Sequence, residues 1–214
     1  MFATGRAFEQ IRNSVAYPKL NVKIAATHAG ISVGEDGASH QAIEDLALMR
    51  SLPNMTVLVP ADAEETTQVI RAAAAYQGPV YIRMGRLAIP VLFDKDYKFT
   101  IGKANVLREG QDVTVMAIGL MVDEALKAAE ELSNQGVEVT VVNCASLKPL
   151  DTETIVKVAK LTGAVVTAEE HNIIGGLGSA VAEVLGEQCP VPLQRVGIRD
   201  TFGESGNIFS PNVW

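Results

Sequence analysis

Cysteine is nearly absent from this sequence: two are present in 214 residues, Cys144 and Cys189, with no paired spacing. A disulfide scaffold and a thiolate metal cluster are thereby excluded, and buried free thiols in a reducing compartment are expected. Positive charge is also scarce. Eighteen lysines and arginines face 25 aspartates and glutamates, for a net charge of −7, and no basic cluster stands out, which argues against nucleic acid as a partner. An anionic ligand needs a local basic site instead of a basic surface. No apolar run is long enough for a bilayer span and no secretory leader pattern is visible, so the expectation is a cytoplasmic protein with no membrane partner. Internal repeats, low-complexity tracts and a Ser-His-Asp arrangement are missing too. What remains, 48% hydrophobic and 20% charged residues, is an ordinary globular composition, enough for one large domain or two small ones.

Short apolar runs alternate with amphipathic segments along the chain, which predicts an α/β fold with parallel sheets. Thr4 to Ala16 reads as a helix with Phe8, Ile11 and Val15 on one face, ended by Pro18. Strands are expected at Val22–Ala26, Thr56–Val59 and Val80–Arg83, with Asp62 and Glu65 as a capping box for the helix carrying Val69, Ile70, Ala73 and Ala74. From Leu87 the pattern breaks, and residues 87–112 read as an interdomain linker, with a strand somewhere in Thr100–Arg108. A second alternating unit follows: strand Val113–Ile118, a helix with Val122, Ala125, Leu126, Ala129 and Leu132 on one stripe, and strand Val139–Val142. Helix Asp151–Leu161 with a stop at Gly163, strand Ala164–Ala168, a helix from about Gly178 to Leu185, and strand Leu193–Gly197 complete it. The resulting domains are 1–86 and 113–206, with a tail at 207–214.

Thr27 to Asp45, T-H-A-G-I-S-V-G-E-D-G-A-S-H-Q-A-I-E-D, is the stretch that organises the first unit. It joins a strand to a helix, the place where α/β proteins gather ligand-binding loops. It holds His28 and His40, the pair Glu35-Asp36, and the glycines Gly30, Gly34 and Gly37, which allow sharp turns and close approach. Ser39 as N-cap would put His40 in the first helical turn, where the dipole favours a neutral imidazole. Arg83 and Arg86 follow the third strand, as a phosphate pair or as surface cations. The later stretch E-E-H-N-I-I-G-G-L-G, Glu169 to Gly178, reads as a helix-entry turn and subunit contact sooner than an anion cradle, and has too few partners for a metal site.

G-E-D-G-A-S-H-Q, with the flanking T-H-A-G-I-S-V and A-I-E-D-L-A-L-M-R-S-L-P-N-M, closely resembles the loop of the thiamine-diphosphate enzymes of the transketolase family. R-A-F-E-Q-I-R-N, V-Y-I-R-M-G-R, L-K-P-L-D, E-E-H-N-I-I-G-G-L-G and F-G-E-S-G extend the resemblance from Phe2 to Gly206. It is to the C-terminal part of a transketolase, particularly the type whose halves are separate chains. The resemblance implies a partial pyrimidine-binding domain followed by the family's C-terminal α/β domain. It also implies transfer of a two-carbon ketol unit between sugar phosphates in the pentose phosphate pathway. Thiamine diphosphate would be shared with a diphosphate-binding partner half, in a homodimer or heterotetramer. Magnesium or calcium would sit on that partner, with no metal on this chain. By position, Asp36 and His40 would bond hydroxyls of the sugar and the cofactor-bound intermediate, His28 would bind substrate, Arg86 would receive the sugar phosphate, and Phe2 would pack on the pyrimidine ring.

The sequence departs from the family in two places. The family's pyrimidine domain carries a glutamate in a G-I-A-E-Q-N type segment that activates the ring, and no such segment is present. Met1 falls where the family is still inside this domain, and N-I-F-S-P-N-V-W stands where a polar helical ending is expected, so a truncated chain is anticipated. A non-catalytic assembly module, a deoxyxylulose-phosphate synthase and the beta subunit of a 2-oxo-acid dehydrogenase are the competing readings. The uninterrupted G-E-D-G-A-S-H-Q together with R-A-F-E-Q-I-R-N favours transketolase.

Overall fold

Alternation of apolar runs with amphipathic segments builds two sheets, which a computed structural model describes over residues 1–206. The anticipated tail at 207–214 lies outside the described residues. The chain opens helically in three pieces, Phe2–Arg6, Phe8–Ile11 (α1) and Arg12–Ala16, the outer two in wide turns. Then come β1 (Lys23–Ala26), α2 (Asp45–Ser51), β2 (Thr56–Leu58), α3 (Ala63–Ala75) and β3 (Val80–Arg83). Residues 84–104 have no regular element. The second unit runs β4 (Asn105–Arg108), β5 (Val113–Ala117), α4 (Met121–Ser133), β6 (Val139–Asn143), β7 (Ser146–Lys148), α5 (Thr152–Thr162), β8 (Val165–Asn172), α6 (Leu177–Gln188) and β9 (Leu193–Ile198).

One sheet is ordered β1-β3-β2-β7 and the other β4-β6-β5-β8-β9. Most neighbours are parallel, as the alternation requires. Two pairings are not: β4 runs antiparallel to β6, and β7 runs antiparallel to β2 through Val57–Lys148 and Leu58–Ser146. Neither was legible as a sheet partner from periodicity, because three or four residues are too few to display a period of two. β7 matters most, since it carries a strand of the second unit into the first sheet, and the Val59 amide extends the join to the Ala145 carbonyl at 2.7 Å.

α4 covers its sheet with the stripe that the sequence predicts, whereas in α3 only Val69 and Ala73 turn inward and Ile70 and Ala74 are exposed. In α4, Val122, Ala125 and Ala129 are buried against β5 and β6. Val69 and Ala73 of α3 meet Leu58, Val80 and Ile82, and Phe99 and Ile101 from the connecting segment pack on the same cluster. The capping box forms in a modified version: the Glu65 amide donates to Asp62 at 2.7 Å, while the Glu65 carboxylate accepts from the Ala61 amide. The other Asp62 oxygen takes the Leu92 and Phe93 amides, and Asp151, the N-cap of α5, takes those of Thr154 and Ala104. Both caps thus anchor the connecting segment. Glu65 also accepts from Tyr97 and from Asn143 of β6, tying the two sheets together. Both cysteines are free and buried, and burial pushes the Cys144 thiol up to about 12.

Candidate active site

The loop between β1 and α2 lies at the carboxyl end of the first sheet and is shaped by backbone few residues tolerate. Gly30 (φ 89) lies against the Glu170 carboxyl group, where a methyl group would overlap it. Gly34 (φ 74, ψ −111) breaks the tight turns of Ile31–Asp36. His28 itself is held at φ 63, a left-handed conformation that costs energy for a non-glycine residue and is typical of sites fixed by their surroundings.

The result is a cavity of about 410 Å³ lined by Phe2, His28, Asp36 and His40, with Ala25, Ala26 and Val33 as apolar wall and Tyr81 at its base. Four residues singled out from the sequence therefore converge on one space. The Phe2 and His40 rings meet edge to face with centroids 5.1 Å apart, and the Arg6 guanidinium lies over the Phe2 ring. Ser39 Oγ lies 3.0 Å from His40 Nδ1, and Thr27 Oγ1 lies 2.9 Å from His28 Nδ1. Arg86 stands beside this group. Its Nη1 donates to Asp36 at 3.1 Å and to the Val33 carbonyl, leaving Nη2 and Nε without a hydrogen-bond partner among the described residues.

Two expectations need correction. His40 does not lie in the first turn of a helix, because α2 begins only at Asp45 and Ser39 makes no capping bond. Ala29 pairs with Ala42 across the loop and the Gly30 amide donates to the Ala42 carbonyl at 2.8 Å, which commits residues 40–44 to the loop. Arg83 is neither a surface cation nor available for phosphate. It is 5% exposed, with Nε on Asp45 at 2.8 Å and Nη2 on the carbonyls of Ala42 and Glu170.

Arg83 belongs to a buried polar cluster under the cavity that sequence reasoning missed. Tyr81 donates to Asp45 at 2.6 Å, and His171 faces Asp45 from β8. Burial pushes the Asp45 carboxyl up, but Arg83, His171 and Tyr81 outweigh it and hold the group below its ordinary range. Burial drives His171 down to about 4, so the imidazole is neutral; its Nε2 accepts the Leu46 amide at 3.1 Å while Nδ1 bonds the Asn172 carbonyl. The signal was present in the sequence: Asp45, Tyr81 and Arg83 are polar groups within otherwise apolar runs, and buried polar groups seek one another.

Only the second half of the Glu169–Gly178 stretch is the helix-entry turn expected, because β8 continues past Ala168 to Asn172 and α6 begins at Leu177. The amides that open α6 are not free for an anion, because Glu169 takes those of Leu177 and Gly178 at 2.7 and 2.8 Å. Its neighbours grip the first sheet: Glu170 accepts the Ser32 amide at 2.5 Å, and the Asn172 amide donates to Ile43. Among the described residues no group of three His, Cys, Asp or Glu is placed to hold a metal ion, and no helix is long and apolar enough to cross a membrane.

Comparison with known proteins places this architecture. The transketolase pyrimidine binding domain matches residues 1–91, and the transketolase C-terminal domain matches residues 102–209. The chain belongs to the transketolase family. It is 53% identical over 209 residues to a proposed transketolase C-terminal section of Methanocaldococcus jannaschii, and 49% identical over 205 residues to a 6-deoxy-6-sulfo-D-fructose transketolase subunit of a Clostridium species. Each match covers 96% of this chain but only 65% and 64% of the relative, so the chain spans a little under two thirds of their length. A solved split-gene transketolase, described as an inactive beta4 tetramer, superposes with a TM-score of 0.89 at 61% identity, covering 95% of this chain and 66% of that one.

Proposed function

We propose that this chain is one half of a thiamine-diphosphate-dependent transketolase. It moves a two-carbon ketol unit between sugar phosphates together with a chain that holds the diphosphate and its magnesium or calcium ion. The observation that carries the reading is the convergence of Phe2, His28, Asp36 and His40 on one cavity with Arg86 beside it.

The residues present suit one end of the cofactor. Phe2 and the apolar wall of Ala25, Ala26 and Val33 match an aromatic pyrimidine ring. Nothing on this wall suits a diphosphate, which is why the reading assigns that end to the partner. When bound, the cofactor supplies the electron sink, and the protein supplies orientation and electrostatics. His28 and His40 each offer a ring nitrogen to sugar hydroxyls, since only one nitrogen of each is engaged by a neighbouring hydroxyl. Asp36 accepts a further hydroxyl and is held in place by Arg86. The unengaged Nη2 and Nε of Arg86 form a fork suited to a phosphate. They suit a sulfonate equally, the group named in the Clostridium relative.

In this reading the working assembly is a homodimer or heterotetramer with the partner half, in the cytoplasm. The description of the split relative as an inactive tetramer of one chain type supports the need for that partner. Two measurements test it. Calorimetric titration of the isolated chain with thiamine diphosphate and magnesium should show weak binding, and a submicromolar Kd would sink the division of labour. With the partner half added, Arg86→Ala should lower kcat/KM for phosphorylated donors by roughly ten- to a hundredfold, as loss of a charge-assisted contact predicts, and leave unphosphorylated donors nearly unchanged. His40→Ala should slow both. An unchanged substrate preference in Arg86→Ala ends the phosphate assignment.

A further inference from the structure

A second cavity, of about 490 Å³, lies at the carboxyl end of the other sheet. Its place in the fold is informative. The chain leaves β5 for β6 on one side and returns to β8 on the other, both parallel to β5. The crevice beyond β5 and β8 is therefore the point where strand order reverses, the position where open α/β sheets bind ligands. Met121 at the start of α4, Glu170 on β8 and Val196 on β9 border it, and Phe202 stands at 77% exposure on its wall. Ile31 of the first-sheet loop forms the opposite side. The cavity is distinct from the one holding His28 and His40.

Charge around it is unbalanced. Asp45, Glu169 and Glu170 are all buried, and among buried residues only Arg83 answers them. Arg83 is bonded to Asp45, while Arg195 stands near Glu169. Glu170 shares Arg83 with Asp45, and on the cavity wall Glu169, Glu170 and Glu204 face a single arginine, Arg199. Glu170 is 6% exposed and lines the cavity, and only Oε1 is engaged, by the Ser32 amide; Oε2 accepts no hydrogen bond from the described residues. Burial pushes this carboxyl up, with Arg83 and Ser32 only partly offsetting it, as expected for an acid short of positive charge.

We infer that this crevice binds a small organic cation, a primary ammonium on an aliphatic body, with Glu170 receiving the ammonium and Met121, Val196 and Phe202 covering the body. Desolvating a carboxylate is costly, and a paired ammonium that also donates hydrogen bonds removes the cost. A neutral alcohol of the same shape cannot.

The test uses the full chain at pH 8 and constant ionic strength, with n-butylammonium and n-butanol as probes. Amide chemical shifts are followed by NMR. Butylammonium should shift the amides of Met121, Glu170, Val196 and Phe202 saturably and bind at least tenfold more tightly than butanol. Equal affinities would overturn the cation assignment, and no saturable shift with either probe would overturn the site. Glu170→Gln should erase the tenfold preference. Should that variant fail to fold, Val196→Lys, at a half-exposed position on the wall, supplies a tethered ammonium and should abolish butylammonium binding. Undiminished binding in Val196→Lys would overturn the proposal independently.

Discussion

The two sheets of this protein are built from the same alternation and serve opposite ends. In the first, strands are three or four residues long, and the loop after β1 is longer than the strand it follows. His28, Asp36 and His40 are exposed there, on a backbone bent through left-handed conformations. In the second, β8 runs for eight residues, and the carboxylate that could have bound a ligand at its end is spent on capping α6. The first sheet presents its polar groups on an exposed loop, while the second buries Glu169, Glu170 and His171 along β8. The difference teaches that the regular sheet braces the irregular one: Glu170 and His171 of β8 accept from Arg83, Ser32 and Leu46 of the first unit.

Removing the brace should have the largest effect. Arg83→Met leaves Asp45 and Glu170 buried without their cation and should cost about 3–5 kcal/mol, the usual penalty for breaking a buried pair. Urea unfolding followed by tryptophan-independent circular dichroism measures it. A loss under 1 kcal/mol would mean the sheets do not depend on this contact. The N-caps come next, one in each unit. Asp62→Ala and Asp151→Ala each remove a cap and an anchor of the connecting segment, and about 2 kcal/mol is expected from either. If Asp62→Ala alone is costly, the second sheet holds the connector unaided.

A pH experiment sharpens the same comparison. The folded-state pKa of His171 lies near 4, below the ordinary 6.5, so the unfolded chain binds the extra proton between those values. Its contribution to stability is present above about pH 6.5 and is lost as pH falls towards 4. Glu169 works in the opposite sense: burial raises it to about 7, so the folded chain holds the extra proton and gains stability on acidification through that range. His171→Gln should be destabilised at pH 7, and its deficit against the parent should narrow at pH 4.5. Parallel denaturation midpoints at both values would contradict the neutral histidine. The smallest effect is expected at Lys127, exposed on α4 between Asp123 and Glu124. Lys127→Ala should leave the midpoint within experimental error.

Much of this was legible beforehand because it depends on local rules. The period of α4, the Asp62–Glu65 cap and the Gly163 stop are each fixed by residues within a few positions of one another. The convergence of Phe2, His28, Asp36 and His40 was legible only through resemblance, since no periodicity brings residue 2 to residue 40. What escaped was non-local. Arg83 reads as a surface cation until Asp45 and the Glu170 carbonyl are placed around it. His40 reads as a helix start until the Ala29–Ala42 bridge claims the segment. In both cases a tertiary contact overrode a sound local preference.

The antiparallel join of β7 to β2 has a consequence for how the chain is made. Leu58 must wait for Ser146 before its sheet edge is covered. At about 5–20 residues per second, synthesis of the intervening stretch of roughly ninety residues takes on the order of ten seconds. During that interval a strand whose side chains end up fully buried is open to pairing with neighbouring nascent chains on the same polysome. Slow codons that lengthen this interval should therefore lower the soluble yield, whereas faster synthesis of the same stretch should raise it.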